Sequence, residues 1–253
     1  MIDRTPYKKK FTKDNIPNWI CPSCLNGVLH SSEKHFISED TGGTKRGWNE
    51  EWFDPEMAML TYTAMFTCTN SKCQESVASS GYGYLEQEYF YNQEGQHDYE
   101  YVAYYRPLFF HPTLQIFKIP NEAPESVKKA IENSFSTVLI NKSASANQVR
   151  IAVECLLTHL KIKQFNVRIG RRRQRLNLHQ RIELLPVKYK KIKDICLAIK
   201  WLGNAGSHCD EDMKIDDVFD GYDMLSFVLE ELFDNKHVHV KKLAKKINTK
   251  KGV

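Results

Sequence analysis

The chain of 253 residues has no long apolar run. Its longest apolar stretches, such as Ile151–Leu157, stop well short of a membrane span, so no membrane partner is expected. The opening segment Met-Ile-Asp-Arg-Thr-Pro-Tyr-Lys-Lys-Lys carries no apolar core of the kind a secretory leader needs, so the expected compartment is the cytoplasm. There is no internal repeat and no glycine-rich phosphate loop. Gly81-Tyr-Gly-Tyr lacks both the lysine and the strand-to-helix setting such a loop requires. No spacing suggests a Ser-His-Asp or Cys-His nucleophile. What remains is a chain long enough to bury a real core, with hydrophobic and charged fractions of a globular protein.

The seven cysteines fall into two groups. Cys155, Cys196 and Cys209 are isolated, and the first two lie on apolar helical stripes as small core residues. The other four form Cys21-Pro-Ser-Cys24 and Cys68-Thr-Asn-Ser-Lys-Cys73. Two short pairs, each able to make a knuckle, suit a tetrahedral structural zinc site of four thiolates, with disulfides as the weaker alternative in a reducing compartment. His30 and His35 are possible substitute ligands. Four thiolates close the coordination sphere, so this metal is expected to hold the fold rather than do chemistry.

Around the knuckles the pattern is that of β-structure. Met59–Thr67 alternates Leu60, Tyr62, Ala64 and Phe66 on one face with threonines and Met65 on the other. Ser76–Phe90 and Tyr99–Phe110 are rich in aromatic residues, and Asn92-Gln-Glu-Gly-Gln reads as the turn of a long hairpin. Tyrosines at strand spacing indicate cross-strand packing first and base-stacking platforms second. Residues 34–55, with Trp48 and Trp52, read as a loop of unassigned purpose.

Past Pro124 the period changes to helical. Helices are predicted over Glu125–Leu139, Ser145–Ile162, Leu176–Leu185 and Lys188–Leu202, with a last one beginning at Asp216 or Asp217. Gly203 and Asn204 sit where a helix often takes a left-handed terminal residue, which places Lys200, Asn204 and His208 near one helix end. That group suits phosphate handling or proton transfer, or else a plain C-cap in which the cations complement the helix dipole. The net charge of +5 hides local blocks: Lys8–Lys10, Arg168–Arg175 and Lys241–Lys251 are basic, whereas Asp210–Asp223 is acidic. Arg171, Arg172, Arg173 and Arg175 are candidate phosphate contacts for RNA or DNA, or a solvated loop.

The order of a cysteine-knuckle β-module, a proline-bounded helix, Arg150-Ile-Ala-Val-Glu154 and Ile199-Lys-Trp-Leu-Gly-Asn-Ala-Gly-Ser-His208 resembles an uncharacterised bacterial family. That family is frequent in restriction and phage-defence loci, and its helical part belongs to the HEPN superfamily. The helical similarity spans about Ala123–Phe233, with the zinc ribbon as the family's N-terminal extension. Many active HEPN proteins are metal-independent ribonucleases with an Arg-polar-x-x-x-His motif facing its own copy across a homodimer. By this resemblance His208 is the catalytic histidine and Asn204 the polar residue. Gly203 stands at the arginine position, and Lys200, about one turn earlier, is the candidate cation. Arg150 and Glu154 either frame that site or form an ordinary ion pair four residues apart.

The expectation is therefore an α+β protein. Residues 1–120 form a zinc-ribbon-like antiparallel module, 121–236 a HEPN-like helical bundle and 237–253 a basic tail. The expected function is an RNA-directed defence or toxin-type protein, a candidate endoribonuclease, homodimeric through its helices and open to a defence-system partner protein. The alternative is a catalytically silent module that binds nucleic acid or a partner protein.

Overall fold

The computed structural model describes residues 1–92, 94–166, 172–205, 213–233, 244 and 246–249. The fold is mixed α+β and divides into two compact units: Asp3–Gln115, and Ile116–Val253 together with Met1–Ile2. Among the described residues no helix is long and apolar enough to cross a membrane.

The first unit opens with a short helix α1 (Thr5–Lys8) and carries strands β1 (Leu29–His30) and β2 (Phe36–Asp40), helix α2 (Gly42–Gly47), and strands β3 (Met59–Cys68), β4 (Ser76–Tyr91) and β5 (His97–His111). All pairings are antiparallel. β1 and β2 lie in tandem along one edge of β3, β4 takes its other edge, and β5 pairs with β4. The alternation of β3 is realised residue by residue: Leu60, Tyr62, Ala64, Phe66 and Cys68 are buried and the residues between them exposed. Against this face Phe11, Trp19, Phe36, Tyr105 and Phe110 pack mainly edge to face, with Phe11 and Trp19 centroids 5.2 Å apart. Phe36 stacks flat on Tyr62 at 5.0 Å. Such aromatic pairs add to the area they bury.

Residues 34–55 are a loop only in part, over 48–54. Phe36–Asp40 form β2, paired with β3 from Ala64 to Leu60. Thr41 then caps α2, accepting the Thr44 N–H at 3.3 Å. Trp48 ends this excursion, its indole N–H donating to Asp40 at 2.8 Å.

The second unit contains α3 (Glu125–Thr137), α4 (Lys142–His159), a two-residue ribbon of β6 (Phe165–Asn166) and β7 (Gln174–Arg175), α5 (Leu178–Glu183), α6 (Lys190–Ala205) and α7 (Ile215–Phe233). Asparagines start two of the helices. Asn141 accepts the Ala144 N–H at 2.9 Å, and Asn177 forms a capping box with Gln180. The core is the sum of the apolar stripes: Val127, Ile131 and Phe135 of α3, Val149, Val153 and Leu156 of α4, Cys196 and Ile199 of α6, and Tyr222, Leu225 and Leu229 of α7. Cys155, expected in the core, is only half-buried. One polar cluster is sealed among these stripes. Ser134, Ser145 and the Tyr222 hydroxyl bond one another at 2.8–3.0 Å, so no hydroxyl there is left without a partner.

Helix α6 does not stop before Gly203. It runs on through Asn204 to Ala205. The glycine serves close packing rather than a cap. A Cβ at position 203 would lie 2.6 Å from the Arg150 Cβ, 3.0 Å from its Cδ and 3.1 Å from the Ala146 carbonyl oxygen. Residue 203 must lack a side chain for α6 to lie this close to α4.

Candidate functional site

Two constructions stand out, one in each unit. In the first, the turn after Ile20 delivers Cys21 and Cys24, while the end of β3 and the turn beyond it deliver Cys68 and Cys73. The four sulfurs lie within 4.8 Å of one another. Cys24 and Cys68 Sγ are 3.6 Å apart and Cys21 and Cys73 Sγ 3.8 Å apart. These separations are far longer than the roughly 2.05 Å of a disulfide. The cysteines are free.

The two knuckles share a device. The residue after the second cysteine of each pair takes a left-handed backbone, Leu25 at φ 55° and Gln74 at φ 51°. For residues with a side chain this costs on the order of 1 kcal/mol apiece, and it turns backbone N–H groups toward sulfur. Past Leu25 the Gly27 N–H donates to Cys24 Sγ at 3.4 Å, and past Gln74 the Glu75 N–H serves Cys73. Ahead of Gln74, within the second knuckle, the Asn70 N–H donates to Cys68 Sγ at 3.4 Å. Backbone N–H groups of Asn26 and Gly27 bring the Cys24 thiol down to about 6, whereas burial pushes Cys68 up to about 12. Cys21 and Cys68 are buried and the other two partly so. The cluster can hold a metal ion and offers it four sulfurs. His30 and His35 are exposed outside it, and the His35 ring bonds Ser32 instead. Gly27 is the member that sequence reasoning missed: any Cβ there would press on Cys68 Sγ and on the Asn70 backbone. Its signal was available, as a glycine three residues after the second cysteine of the first knuckle.

In the second unit a cleft of about 340 Å³ opens between α4, the β6–β7 ribbon and the start of α5. Its polar lining is Arg150, Glu154, Gln164, Arg175, Asn177 and Arg181, three guanidinium groups against one carboxylate. The carboxylate is taken: Arg150 Nη1 donates to Glu154 Oε1, and Arg150 Nε to Asn147 at 3.0 Å. Arg precedes Glu along the helix, the less favourable order for helix stability, so support of α4 alone accounts poorly for this pair. Arg181 is 7 % exposed. It donates to the Glu154 carbonyl at 3.3 Å and to Thr158 Oγ1 at 3.0 Å, while its Nε has no partner. Burial lowers the pKa of this guanidinium, Glu154 opposes the shift and Arg175 adds to it, yet it stays a cation. The cleft therefore carries surplus positive charge in a partly desolvated setting, which favours an anion. Arg175 and Arg181, not singled out together by the sequence, share this lining with the predicted pair Arg150 and Glu154.

The remaining predicted residues are placed as follows. Arg173 lies 3.6 Å over the Phe165 ring, and Arg172 is exposed beside it. Lys200 Nζ sits 3.0 Å from the centroid of the neighbouring Trp201. Asn204, half-buried, follows the glycine that packs on Arg150. His208, Arg171 and Cys209 lie outside the described residues.

Comparison with known proteins returns two family models, each matching less than half of the chain. One, a domain of unknown function (DUF8608), matches residues 9–110; the other, also a domain of unknown function (DUF4145), matches residues 133–250. No curated protein and no solved structure matches the chain.

Proposed function

We propose that the protein is RNA-directed, with an N-terminal β-module built on structural zinc and a HEPN-like helical unit that acts as a metal-independent endoribonuclease. The observation that carries this reading is the seat of Arg150 against Gly203. The arginine expected at position 203 is absent from the sequence there, and a guanidinium-bearing side chain from α4 passes over that same backbone. In this reading Arg150, rather than Lys200, faces the scissile phosphate. Asn204 orients the RNA, and His208 moves the proton as a ribose 2′-hydroxyl attacks the adjacent phosphorus. The P–O5′ bond breaks, leaving a 2′,3′-cyclic phosphate and a 5′-hydroxyl. Arg150 stabilises charge on the non-bridging oxygens, a role that suits its planar fork. Arg175, with Arg172 and Arg173 on the adjoining ribbon, tracks the backbone phosphates, and the homodimer brings two such sites together.

Zinc fits the four-cysteine cluster. A tetrahedron with zinc–sulfur bonds of about 2.3 Å has edges of about 3.8 Å, close to the 3.6 Å of Cys24–Cys68 and the 3.8 Å of Cys21–Cys73, with all four sulfurs within 4.8 Å. When bound, zinc supplies cross-linking of the two knuckles and no reactive position, since all four positions are thiolates.

Cleavage of single-stranded RNA in excess EDTA, with bound zinc verified, tests the proposal. Wild type should cut and leave cyclic phosphate ends. His208→Ala and Arg150→Ala should lose cutting by factors of about 10² or more while keeping the fold. Inert wild-type protein on diverse RNAs would refute it.

A second reading, a silent binding module for nucleic acid or for a partner protein such as a defence component, is favoured by Lys200. Its ammonium is engaged with the Trp201 ring rather than standing free. Under that reading Arg175→Ala weakens RNA binding and reduces the salt dependence by about one counterion, although no RNA is cut.

A further inference from the structure

The hairpin of β4 and β5 outruns its sheet. β3 pairs with β4 only as far as Tyr84, so the distal segments, Leu85–Tyr91 and His97–Ala103, pair with each other alone. Along β4 and β5 one face points into the aromatic core, through Gly83 opposite Tyr105. By strand alternation that same face continues outward as Gln87 opposite Tyr101, Tyr89 opposite Tyr99 and Tyr91 opposite His97. The core ends and the aromatic row does not. Tyr89 is 71 % exposed, Tyr91 68 % and Tyr99 52 %, with Tyr89 and Tyr99 centroids 6.2 Å apart.

This arm carries charge of one sign. From Ser76 to Tyr105 the chain has no lysine or arginine, yet it has Glu86, Glu88, Glu94, Asp98 and Glu100. Glu56 reaches the same ribbon, where its Oε1 accepts the Gln87 N–H at 3.4 Å. Glu86, Glu88, Asp98 and Glu100 alternate onto the opposite face of this narrow ribbon, while the negative charges of Asp54 and Glu56 act on the Tyr101 phenol. In a protein of net charge +5 the acidic arm therefore selects against phosphates and for cations. On its opposite face the hairpin already shows the pairing it favours: Lys10 bonds Glu86 while its Nζ sits 3.6 Å from the Tyr104 centroid.

We propose that the distal hairpin, through Tyr89, Tyr91, Tyr99 and Tyr101, is a docking surface for a lysine- or arginine-rich segment of a partner protein. Basic side chains lie across the rings, their charges directed to Asp54 and Glu56 beside Tyr101, in the manner in which Lys10, on the opposite face, lies on Tyr104 and Glu86. The surface is independent of the arginine cleft and of any RNA chemistry there.

Fluorescence anisotropy on the full chain tests this, with a labelled peptide of alternating lysine and serine, an alternating glutamate and serine counterpart, and a single-stranded RNA as probes. The lysine peptide should bind and the glutamate peptide should not. Tyr89→Ala with Tyr99→Ala should weaken the lysine peptide about tenfold, from two lost ring contacts. Tyr89→Phe with Tyr99→Phe should retain it, because the ring face remains, and circular dichroism checks that both variants keep the fold. The proposal is overturned if the lysine peptide does not bind, if the double alanine variant binds it as wild type does, or if that variant loses RNA instead.

Discussion

Replacing Gly27 by alanine tests whether the four cysteines form a metal centre. The added Cβ would fall inside 3.0 Å of Cys68 Sγ, a separation that real Cβ atoms essentially never show, and would also stand 3.0 Å from the Asn70 nitrogen. Ordinary contact begins at 3.4 Å, so sulfur and glycine must separate by more than 0.4 Å (3.4 less 3.0). Thiolate–metal distances tolerate only about 0.2 Å. The sulfur cannot yield by rotating freely, because Cys68 is buried at the end of β3 and its Sγ accepts the Asn70 N–H. One of four ligands is then lost or badly placed. If structural zinc contributes about 10–16 kcal/mol in total, one ligand's share is roughly 3–4 kcal/mol, or a weakening of about 10²–10³-fold. Competition against a chromophoric chelator measures this directly, and a fall in the unfolding temperature of the β-module should accompany it. An alanine variant that holds zinc within a few-fold of wild type would refute the geometry argued for the site.

Tyr222→Phe removes one member of the buried cluster with Ser134 and Ser145. Each serine keeps a bond to the other, so the cost should be about 1–2 kcal/mol in a urea titration; no change would mean the hydroxyl contributes nothing there. Glu183 has its pKa lowered first by the hydrogen bond from Lys193 Nζ at 2.8 Å. A depressed carboxyl stabilises the fold above its ordinary value of 4.5, and that contribution is lost as pH falls through the folded value. Lys193→Met should therefore move the Glu183 titration, followed by NMR, to higher pH; an unmoved curve would leave the pair without effect.

What could be read from the sequence depended on whether one local period carried the signal. β3 has strict alternation with a buried face, and it formed where predicted. The cysteine pairs needed only spacing, and they converge. β2 was missed because only Phe36 among its five residues is buried; Ser38-Glu39-Asp40 reads as loop, and the strand exists by pairing with β3. The end of α6 was misread because a glycine that lets two helices touch is identical in sequence to one that ends a helix. Arg181 was within reach: it shares a stripe with Leu178, Ile182 and Leu185, so a charge on the inward face of α5 announced a buried, hydrogen-bonded cation. The cleft itself was not, since it depends on how α4 and the β6–β7 ribbon meet.

That ambiguity at position 203 has a consequence opposite to the one the motif suggests. Read as sequence, Gly203→Arg restores the missing arginine and should improve cleavage. Read as structure, it places a Cβ 2.6 Å from that of Arg150 and 3.1 Å from a backbone oxygen of α4, which no rotamer of the new side chain can relieve. The helices must part, at a cost of about 1–3 kcal/mol or more, even after about 1 kcal/mol is regained by removing a glycine from a helix. The variant should melt earlier than wild type and cleave less. Arg150→Gly in the same chain removes the Cβ and Cδ contacts, so the double variant should recover part of the lost stability. The Ala146 oxygen remains, so the recovery should be incomplete. A Gly203→Arg protein as stable as wild type would show that α4 and α6 do not approach as closely as this packing requires. It would also remove the ground for assigning Arg150 the place of the missing arginine.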